Sequence, residues 1–328
     1  MRIFVTGGTG FTGAALVSRL LKEGHSVSVL DKKPGLFLKD LEKEGAEVAV
    51  GSVTDRETVS NAVADSEIVL HLAAAFRETG APDSLYDDVN VHGTRVVVEE
   101  ALKARVRKLI YCSTQGVHGH IEDPPGDESS PIAPEDYYQE TKYKGELVVR
   151  EYAGRGLEFS IIRPTAIYGP GDPERFLMIY KRVCKGRFIM FGNGRTFYHP
   201  VYIDNLVDAF LLAMAPGVGN GQAYIVADEE YVSIEELVTR VGRALGVEVG
   251  IPHLPITPLI AAGHVCEKLC KPLGIDPPIF PRRVDWFRQV RAFKIDKAKR
   301  ELGYQPRVGL DEGLRRTGEW YKQKGFLP

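Results

Sequence analysis

Short apolar runs alternate with longer amphipathic stretches from Arg2 to about Ile167. Six of the short runs predict strands: RIFVT, SVSVL, EVAV, IVLHLA, KLIYCS and FSIIR. Their nearly continuous apolar character is typical of parallel strands whose two faces are both covered by helices. The alternation therefore predicts βαβ units and an α/β fold with a doubly wound parallel sheet.

This regular alternation stops at the turn-rich segment YGPGDP, which begins at Tyr168. Prolines are frequent and the segments irregular beyond it, which predicts a smaller second lobe. One later run, AYIVAD at 223–228, again has the pattern of a buried strand and is expected to return to the main sheet. We predict a larger domain over 1–167 with about 204–228, and a second lobe over 168–203 and about 229–328.

The composition restricts the partners and the compartment. The 42 Lys and Arg residues nearly balance the 44 Asp and Glu residues, so no electrostatic footprint for nucleic acid is present and a small-molecule ligand is expected. The four cysteines fit neither a disulfide framework nor a zinc spacing, which predicts reduced thiols in the cytoplasm and no metal site. We expect neither a signal peptide nor a membrane-spanning helix, since the first strand begins at Arg2 and every apolar run is short.

Four glycines stand between the first predicted strand and an amphipathic helix, in RIFVTGGTGFTGAALVSRLLKEG. Gly8, Gly10 and Gly13 satisfy the pattern G-x-G-x-x-G, and Gly7 extends it. The early glycines allow a tight turn whose N–H groups approach a pyrophosphate, and Gly13 allows the helix to pack closely on the strand. A plain glycine-rich loop is the alternative, but the flanking strand and helix favour a dinucleotide-binding Rossmann turn.

The second predicted strand ends at Asp31, about 20 residues after the glycines. A carboxylate there accepts hydrogen bonds from the ribose hydroxyls of the adenosine and repels a 2′-phosphate, which favours NAD over NADP. Lys32 and Lys33 leave NADP open, because either side chain could meet a 2′-phosphate. They are otherwise two solvated lysines in a loop.

Tyr138 and Lys142 lie four residues apart in DYYQETKYKGELVV, on one face of a predicted helix. A lysine ammonium about 4 Å from a phenol supplies roughly 4 kcal/mol towards ionising it, enough for a general base near neutral pH. An ordinary surface pair has the same spacing. Position favours chemistry, because the buried strand KLIYCST ends in the hydroxyls of Ser113 and Thr114, and ligands bind beyond the carboxyl ends of such strands.

These motifs form an ordered set that resembles the extended short-chain dehydrogenase/reductase superfamily over nearly the whole chain. The set comprises GGTGFTG, HLAAA, NVHGT, CST before VHG, YQETK and RPTAIYGPGD. The resemblance implies that Tyr138 donates or accepts the proton. It implies that Lys142 promotes the ionisation of Tyr138 and binds the nicotinamide ribose, and that Thr114 holds the substrate oxygen. Tyr137 has Thr141 four residues on, so Tyr138 is the expected base.

The resemblance implies further contacts. Cofactor contacts fall on Phe11, Thr12, Ser52, Val53, Leu72, Ala73, Ala74 and Pro164, and substrate contacts on Ser113, Gln115 and Tyr198. Ser52 stands where the family often has the aspartate that contacts adenine. Asn90 of NVHGT is interpreted as a structural residue, and His118 as a satisfied or solvated histidine.

Two segments bear on the substrate. Tyr198 stands where nucleotide-sugar epimerases and dehydratases usually have an arginine for the diphosphate, which weakens diphosphate binding, although Arg195 or Arg187 could substitute. The tail from Pro277 resembles that of 3β-hydroxysteroid dehydrogenase-like members. The apolar stretch PITPLIAAGHVCEKLC suits a lipophilic alcohol or ketone, and predicts a lid or core helix more than a membrane-surface helix.

Three hypotheses follow. The leading one is an NAD(P)-dependent oxidoreductase that interconverts a secondary alcohol and a ketone in the 3β-hydroxysteroid dehydrogenase-like manner. The second is a nucleotide-sugar 4-epimerase or dehydratase that reduces NAD only transiently. The third is a non-catalytic dinucleotide sensor, which the intact tyrosine and lysine disfavour. By analogy with the superfamily, the amphipathic stretches at 89–103 and 138–152 predict a homodimer.

Overall fold

The structure is a computed structural model that describes residues 1–33, 35–76, 81–172, 175–270 and 286–328. Its strands, in chain order, are β1 (Arg2–Thr6), β2 (Ser26–Asp31), β3 (Glu47–Val50), β4 (Ile68–His71), β5 (Lys108–Cys112), β6 (Glu158–Pro164), β7 (Ala166–Tyr168), β8 (Met190–Phe191), β9 (Phe197–Tyr198), β10 (Pro200–Tyr202), β11 (Gln222–Val226), β12 (Val232–Ser233) and β13 (His253–Leu254).

The helices alternate with these strands. They are α1 (Phe11–Lys22), α2 (Leu38–Glu44), α3 (Arg56–Val63), α4 (Asp83–Asp87), α5 (Thr94–Lys103), α6 (Tyr137–Glu151), α7 (Arg175–Val183), α8 (Ile203–Ala213), α9 (Ile234–Leu245), α10 (Ile256–Cys270), α11 (Asp296–Leu302) and α12 (Leu310–Gln323). A π-helical turn at Asp88–Gly93 leads into α5, and a 3₁₀ turn at Gln115–His118 follows β5.

Seven parallel strands form the central sheet in the order β3-β2-β1-β4-β5-β6-β11. Helices α1 and α8 bury apolar side chains against one face of this sheet, and α3, α5 and α6 against the other. The predicted doubly wound α/β fold is therefore confirmed. The run at 223–228 does return to the sheet, where β11 pairs with β6.

The register of the sheet brings the carboxyl ends of its central strands to one edge. Thr6 at the end of β1 pairs with His71 at the end of β4, and Cys112 at the end of β5 pairs with Ile162 of β6. The predicted strands IVLHLA and KLIYCS end early, at His71 and Cys112. Past His71, the Ala73 nitrogen donates to the Thr6 side-chain hydroxyl instead of a strand carbonyl, which ends the ladder of β4.

A second hydrophobic cluster builds the smaller lobe, mainly from α7, α9 and α12, with Tyr180, Leu237 and Leu314 fully buried. Part of the lobe predicted over about 229–328 lies outside the described residues, as do the prolines at 272, 277, 278 and 281. The boundaries of the two predicted units stay a prediction.

The apolar segment PITPLIAAGHVCEKLC forms α10 as a helix. Val265 and Leu269 of α10 are 59% and 64% exposed, so of the two predicted alternatives the core helix is wrong, and a lid stays a prediction. Among the described residues, no helix is both long and apolar enough to cross a membrane.

Candidate active site

The glycine-rich turn between β1 and α1 leaves no room for side chains at two positions. Gly7 has a φ of +71°, and a Cβ there would lie 2.8 Å from the Ala73 nitrogen. A Cβ on Gly13 would lie 2.1 Å from the Gly7 carbonyl oxygen. The turn is therefore a cradle made of backbone, which fits the close approach of a dinucleotide pyrophosphate.

Helix α1 presents its N-terminus at this turn. Gly10 precedes the helix, and within the described residues no side chain caps the first turn, which also lacks acidic residues. Phe11 and Thr12 begin the helix and are half-buried. The free N–H groups and the positive end of the helix dipole favour an anion here.

Asp31 lies at the end of β2 with its carboxylate held in place. Its Oδ2 accepts hydrogen bonds from the Thr9 hydroxyl at 2.6 Å and from the Thr9 backbone nitrogen at 3.1 Å. The next strand ends beside it, because the Gly51 nitrogen donates to the Asp31 carbonyl oxygen at 2.9 Å. Ser52 follows there, with its hydroxyl 2.8 Å from that of Thr54, and Val53 is buried.

A chain of neutral hydrogen bonds runs beneath the turn from β1 to α5. The Ala73 nitrogen donates to the Thr6 hydroxyl, which lies 2.6 Å from Nδ1 of His71. The Thr94 hydroxyl donates to a carbonyl oxygen, so it accepts from Nε2–H of His71 at 3.0 Å. Burial, with a smaller effect from the charge of Lys142, lowers the pKa of His71 to about 3, so this imidazole is neutral. Leu72, Ala73 and Ala74 are half-buried along this edge.

Asn90 connects this edge to helix α6. Its Oδ1 accepts from the Ala75 nitrogen at 2.8 Å, and its Nδ2 donates to the Ala75 carbonyl oxygen and to the Thr141 hydroxyl at 3.0 Å. Thr141 in turn donates to the carbonyl oxygen of Tyr138 at 3.0 Å. The fully buried Asn90 thus supports the strand and the helix, in the way that the sequence indicates.

Tyr138 and Lys142 lie one turn apart near the start of α6. The Tyr138 ring is half-buried, with its centroid 4.8 Å from that of Phe76. Lys142 is 1% exposed, and its Nζ lies 4.3 Å from the centroid of the Tyr111 ring. Burial lowers the pKa of Lys142 to about 8, against the opposite effects of Cys112 and Glu146. Lys142 is therefore a buried lysine one helical turn from Tyr138, unlike a member of a solvated surface pair.

The three predicted residues after β5 have different surroundings. The Thr114 hydroxyl accepts from the Gly116 nitrogen at 3.0 Å, and within the described residues nothing accepts its own proton. The Ser113 hydroxyl is buried and donates to Glu146 at 2.6 Å. Gln115 is buried, and its Oε1 has no hydrogen-bond partner in the described part of the chain. Thr114 is therefore the hydroxyl that is free to donate to a ligand.

Two predicted residues lie further along the chain. Pro164 ends β6 in register with Val226 of β11, at the same carboxyl edge of the sheet. Tyr198 is buried in the second lobe, with its ring 5.9 Å from that of Trp286 and 6.4 Å from that of Phe176. Arg187 and Arg195, which could replace the missing arginine, are both exposed.

Several contacts that build the site did not emerge from the sequence. Thr9 holds Asp31 from 22 positions away, and Arg163 and His118 meet only in the folded chain. Glu146 had one available signal, its position four residues after Lys142 on the same helix face. The partners of the others depend on the register of the sheet.

Comparison with known proteins agrees with this geometry. The sequence model of the 3-beta hydroxysteroid dehydrogenase/isomerase family matches residues 4–256. The 3beta-hydroxysteroid-dehydrogenase/decarboxylase isoform 1 of Arabidopsis thaliana is 32% identical over 95% of this chain and 78% of its own length. The 2-alkyl-3-oxoalkanoate reductase of Stenotrophomonas maltophilia is 30% identical over 96% of this chain and 98% of its own.

Among solved structures, a dTDP-glucose 4,6-dehydratase of Streptomyces venezuelae with NAD bound superposes with a TM-score of 0.80, at 25% identity and over 100% of this chain and 99% of the other. The predicted NAD-dependent enzyme of the extended short-chain dehydrogenase/reductase type is thereby confirmed. Relatives of both predicted enzyme classes, the 3β-hydroxysteroid dehydrogenases and the nucleotide-sugar enzymes, are found. The chain belongs to the 3-beta hydroxysteroid dehydrogenase/isomerase family.

Proposed function

We propose that this enzyme interconverts a lipophilic secondary alcohol and its ketone, with Tyr138 as the group that exchanges the proton. One observation carries the proposal. Lys142 is buried one turn from Tyr138, at the sheet edge that also holds the glycine cradle. A buried ammonium stabilises a neighbouring phenolate far more than a solvated one does.

The cofactor would lie across the carboxyl edge of the sheet. Gly7, Gly10 and Gly13 would hold the pyrophosphate, and Asp31 would hold the adenosine ribose. Further contacts would come from Phe11, Thr12, Ser52, Val53, Leu72, Ala73, Ala74 and Pro164, which all lie along this edge. Bound NAD supplies a hydride acceptor next to the reacting carbon.

The protein's own residues would handle the proton. Thr114 would donate its free hydroxyl proton to the substrate oxygen, since its lone pair already accepts from Gly116. Tyr138 would take the hydroxyl proton of an alcohol, or return it to a ketone. Lys142 would stabilise the phenolate and also bind the nicotinamide ribose. An ammonium about 4 Å away contributes roughly 4 kcal/mol at an effective dielectric near 20, or about three pH units.

Features of the second lobe support a lipophilic substrate. Tyr198 is buried among aromatic rings, where it gives no charge to a diphosphate. Helix α10 exposes apolar side chains on the same lobe. Two of the matched relatives are named for a hydroxysteroid and for a 2-alkyl-3-oxoalkanoate, compounds that carry a hydroxyl or oxo group on a largely hydrocarbon skeleton. A role for Ser113, Gln115 and Tyr198 in binding substrate stays a prediction.

A nucleotide-sugar 4-epimerase or dehydratase is the second candidate. The matched dTDP-glucose dehydratase structure favours it, and the exposed Arg187 and Arg195 would be its diphosphate ligands. A non-catalytic sensor is disfavoured, because binding a dinucleotide does not require a tyrosine one turn from a buried lysine.

A substrate panel tests the proposal. Purified protein is incubated with NAD, NADH or NADPH and with 3β-hydroxysteroids, 2-alkyl-3-oxoalkanoates or UDP- and dTDP-sugars. Net formation or consumption of NADH with a steroid or an oxoalkanoate is the expected result. Conversion of a nucleotide sugar without net change in NADH would replace the proposal with the second candidate.

We further propose a cytoplasmic homodimer whose interface includes the predicted stretches 89–103 and 138–152, which lie mainly in the π-helical turn and α5 and in α6. Contact between α5 and α6 already makes one continuous helical surface. Sedimentation at micromolar concentration is expected to give twice the chain mass of 36.3 kDa.

A further inference from the structure

One turn after Lys142, helix α6 buries a second charged residue completely. Glu146 is 0% exposed. Its Oε1 accepts from the Ser113 hydroxyl at 2.6 Å and from Nε of Arg163 at 2.8 Å, and its Oε2 accepts from Nη2 of Arg163 at 2.6 Å. One carboxylate therefore joins the end of β5, the middle of α6 and the end of β6.

A histidine completes the network behind the arginine. Nη1 of Arg163 donates to Nε2 of His118 at 3.0 Å, so Nδ1 of His118 carries its proton towards the carbonyl oxygens of Ser130 and Pro131. Burial, with a further contribution from Arg163, lowers the pKa of His118, which keeps the ring neutral. The Glu146–Arg163 pair is thus the charged part of the network, and its bidentate geometry is fixed from both sides.

Burying such an ion pair carries a large desolvation penalty. Desolvating two charges costs several kcal/mol each, and apolar residues of similar size often stabilise a fold as well or better. The proton chemistry offers a reason for its presence. Ser113 precedes Thr114, Lys142 precedes Glu146 by one turn, and Arg163 precedes Pro164, so each member adjoins a residue of the proposed site.

We propose that Glu146 is a positioning residue for the reaction, whose carboxylate fixes α6, and with it Tyr138 and Lys142, against the ends of β5 and β6. The inference rests on the proposed function, since it assigns Glu146 to the service of Tyr138. It gives the predicted substrate residue Ser113 a different role, as a donor that orients Glu146.

The groups around the two side chains define the expected response. Those that face Lys142 or Glu146 from the surrounding strands, turns and helix are His71, Tyr111, Cys112, Ser113, His118, Tyr138 and Arg163. His71 is neutral, and burial raises the pKa of Cys112 to about 11, so neither supplies a charge near neutral pH. Glu146 is the acidic group among these neighbours of Lys142.

The test replaces the pair by neutral side chains of similar shape, in Glu146→Gln/Arg163→Gln. The ultraviolet absorbance of phenolate is titrated in NAD-loaded protein, and subtracting the same titration of a matching Tyr138→Phe protein isolates Tyr138 from the other tyrosines. The matched control is Glu230→Gln/Arg240→Gln, which removes a bidentate pair of the second lobe. A second variant, Glu146→Met/Arg163→Met, fills the site with apolar volume.

Without the pair, α6 is no longer fixed against the ends of β5 and β6, so the Lys142 ammonium is no longer held where it stabilises the Tyr138 phenolate. The ionisation of Tyr138 is expected to move up by about one pH unit in either variant of the pair and to stay within about 0.2 unit in the control. A folded, NAD-binding variant with an unmoved Tyr138 titration would overturn the inference. Failure of both variants to fold would also overturn the inference, because the pair would then be required for folding. The titration needs no substrate, so it remains readable if the substrate panel fails.

Discussion

The two sides of the site are held by different kinds of interaction. On the cofactor side, threonine hydroxyls, a neutral His71 and the amide of Asn90 connect the glycine turn to helix α6. On the opposite side, the buried Glu146–Arg163 pair connects the same helix to β5 and β6. Burial lowers the pKa of His71 on the neutral side to about 3, so that ring carries no charge, whereas the charged side adjoins Lys142, whose pKa burial lowers to about 8. Neutral hydrogen bonds thus support the cofactor side, and an ion pair supports the side next to the proposed proton chemistry.

Breaking the charged side alone should have the largest effect. Arg163→Gln leaves the fully buried Glu146 carboxylate without its counter-ion, which is expected to cost about 3–5 kcal/mol of unfolding free energy. Urea unfolding at neutral pH measures the loss. The control is Arg240→Gln, in a more exposed pair, which should cost less than about 1 kcal/mol of unfolding free energy. Equal losses in the two variants would contradict the claim that the buried pair is the more strongly coupled to the fold.

Lys142→Met tests the cost of the charge itself. The pKa of Lys142 is lowered to about 8 in the folded protein, so the unfolded chain binds more protons between about pH 8 and 10.5, and the wild type gains stability as the pH rises through that window. The variant should therefore be more stable than the wild type by about 3 kcal/mol at pH 7, and this advantage should vanish above about pH 10.5. Urea unfolding without cofactor is the measurement. The control is Lys144→Met at an exposed position, which should show no such gain. An equal gain in the control would show that the effect does not come from burial of the Lys142 charge.

An alanine substitution in the glycine turn tests the cofactor side. Gly13→Ala places a Cβ 2.1 Å from the Gly7 carbonyl oxygen, and the resulting shift of α1 is expected to weaken NAD binding by about 10- to 100-fold. Gly309→Ala is the matched control, because its Cβ would meet nothing within 4 Å and its φ of −74° suits any residue. Titration calorimetry with NAD compares them, and similar affinities would argue against a dinucleotide at this turn.

A smaller effect is expected from Asp31→Asn. Loss of the charge should lower NAD affinity by about tenfold and reduce the preference over NADP, because hydrogen bonds to charged groups contribute about 1.5 kcal/mol or more. Thr9→Val removes the hydroxyl that donates to Asp31 but keeps the charge of Asp31. It should therefore weaken the binding of both cofactors and retain the preference for NAD. Dissociation constants for NAD and NADP in both variants show whether the charge of Asp31 selects the cofactor. An unchanged preference in Asp31→Asn would show that Asp31 does not select the cofactor.

The cofactor side was more predictable from sequence than the charged side. Glycines that a turn requires and a strand that ends in Asp31 are local patterns, and local patterns also predicted the spacing of Tyr138 and Lys142 on one helix. The partners of Glu146 lie 33 positions away at Ser113 and 17 away at Arg163, and they meet only once helix α6 packs on the sheet.

The second lobe shows the same limit. The burial of Tyr198 and the exposure of α10 follow from how segments far apart in the chain pack together. Hydrophobic periodicity predicts a buried face, but it does not say which element covers that face. The sequence therefore predicts the α10 helix but does not distinguish a lid from a core helix.

Adjacent tyrosines offer the most direct measurement of the central claim. Tyr138→Phe and Tyr137→Phe are compared on the member of the substrate panel that turns over, with NAD affinity measured for both. Tyr137 bonds Asp87 and lies beside Lys144, so it serves as a matched control. We expect Tyr138→Phe to bind NAD normally and to lose turnover by about 100-fold or more, with Tyr137→Phe within about twofold of the wild type. Full turnover in Tyr138→Phe would contradict the account.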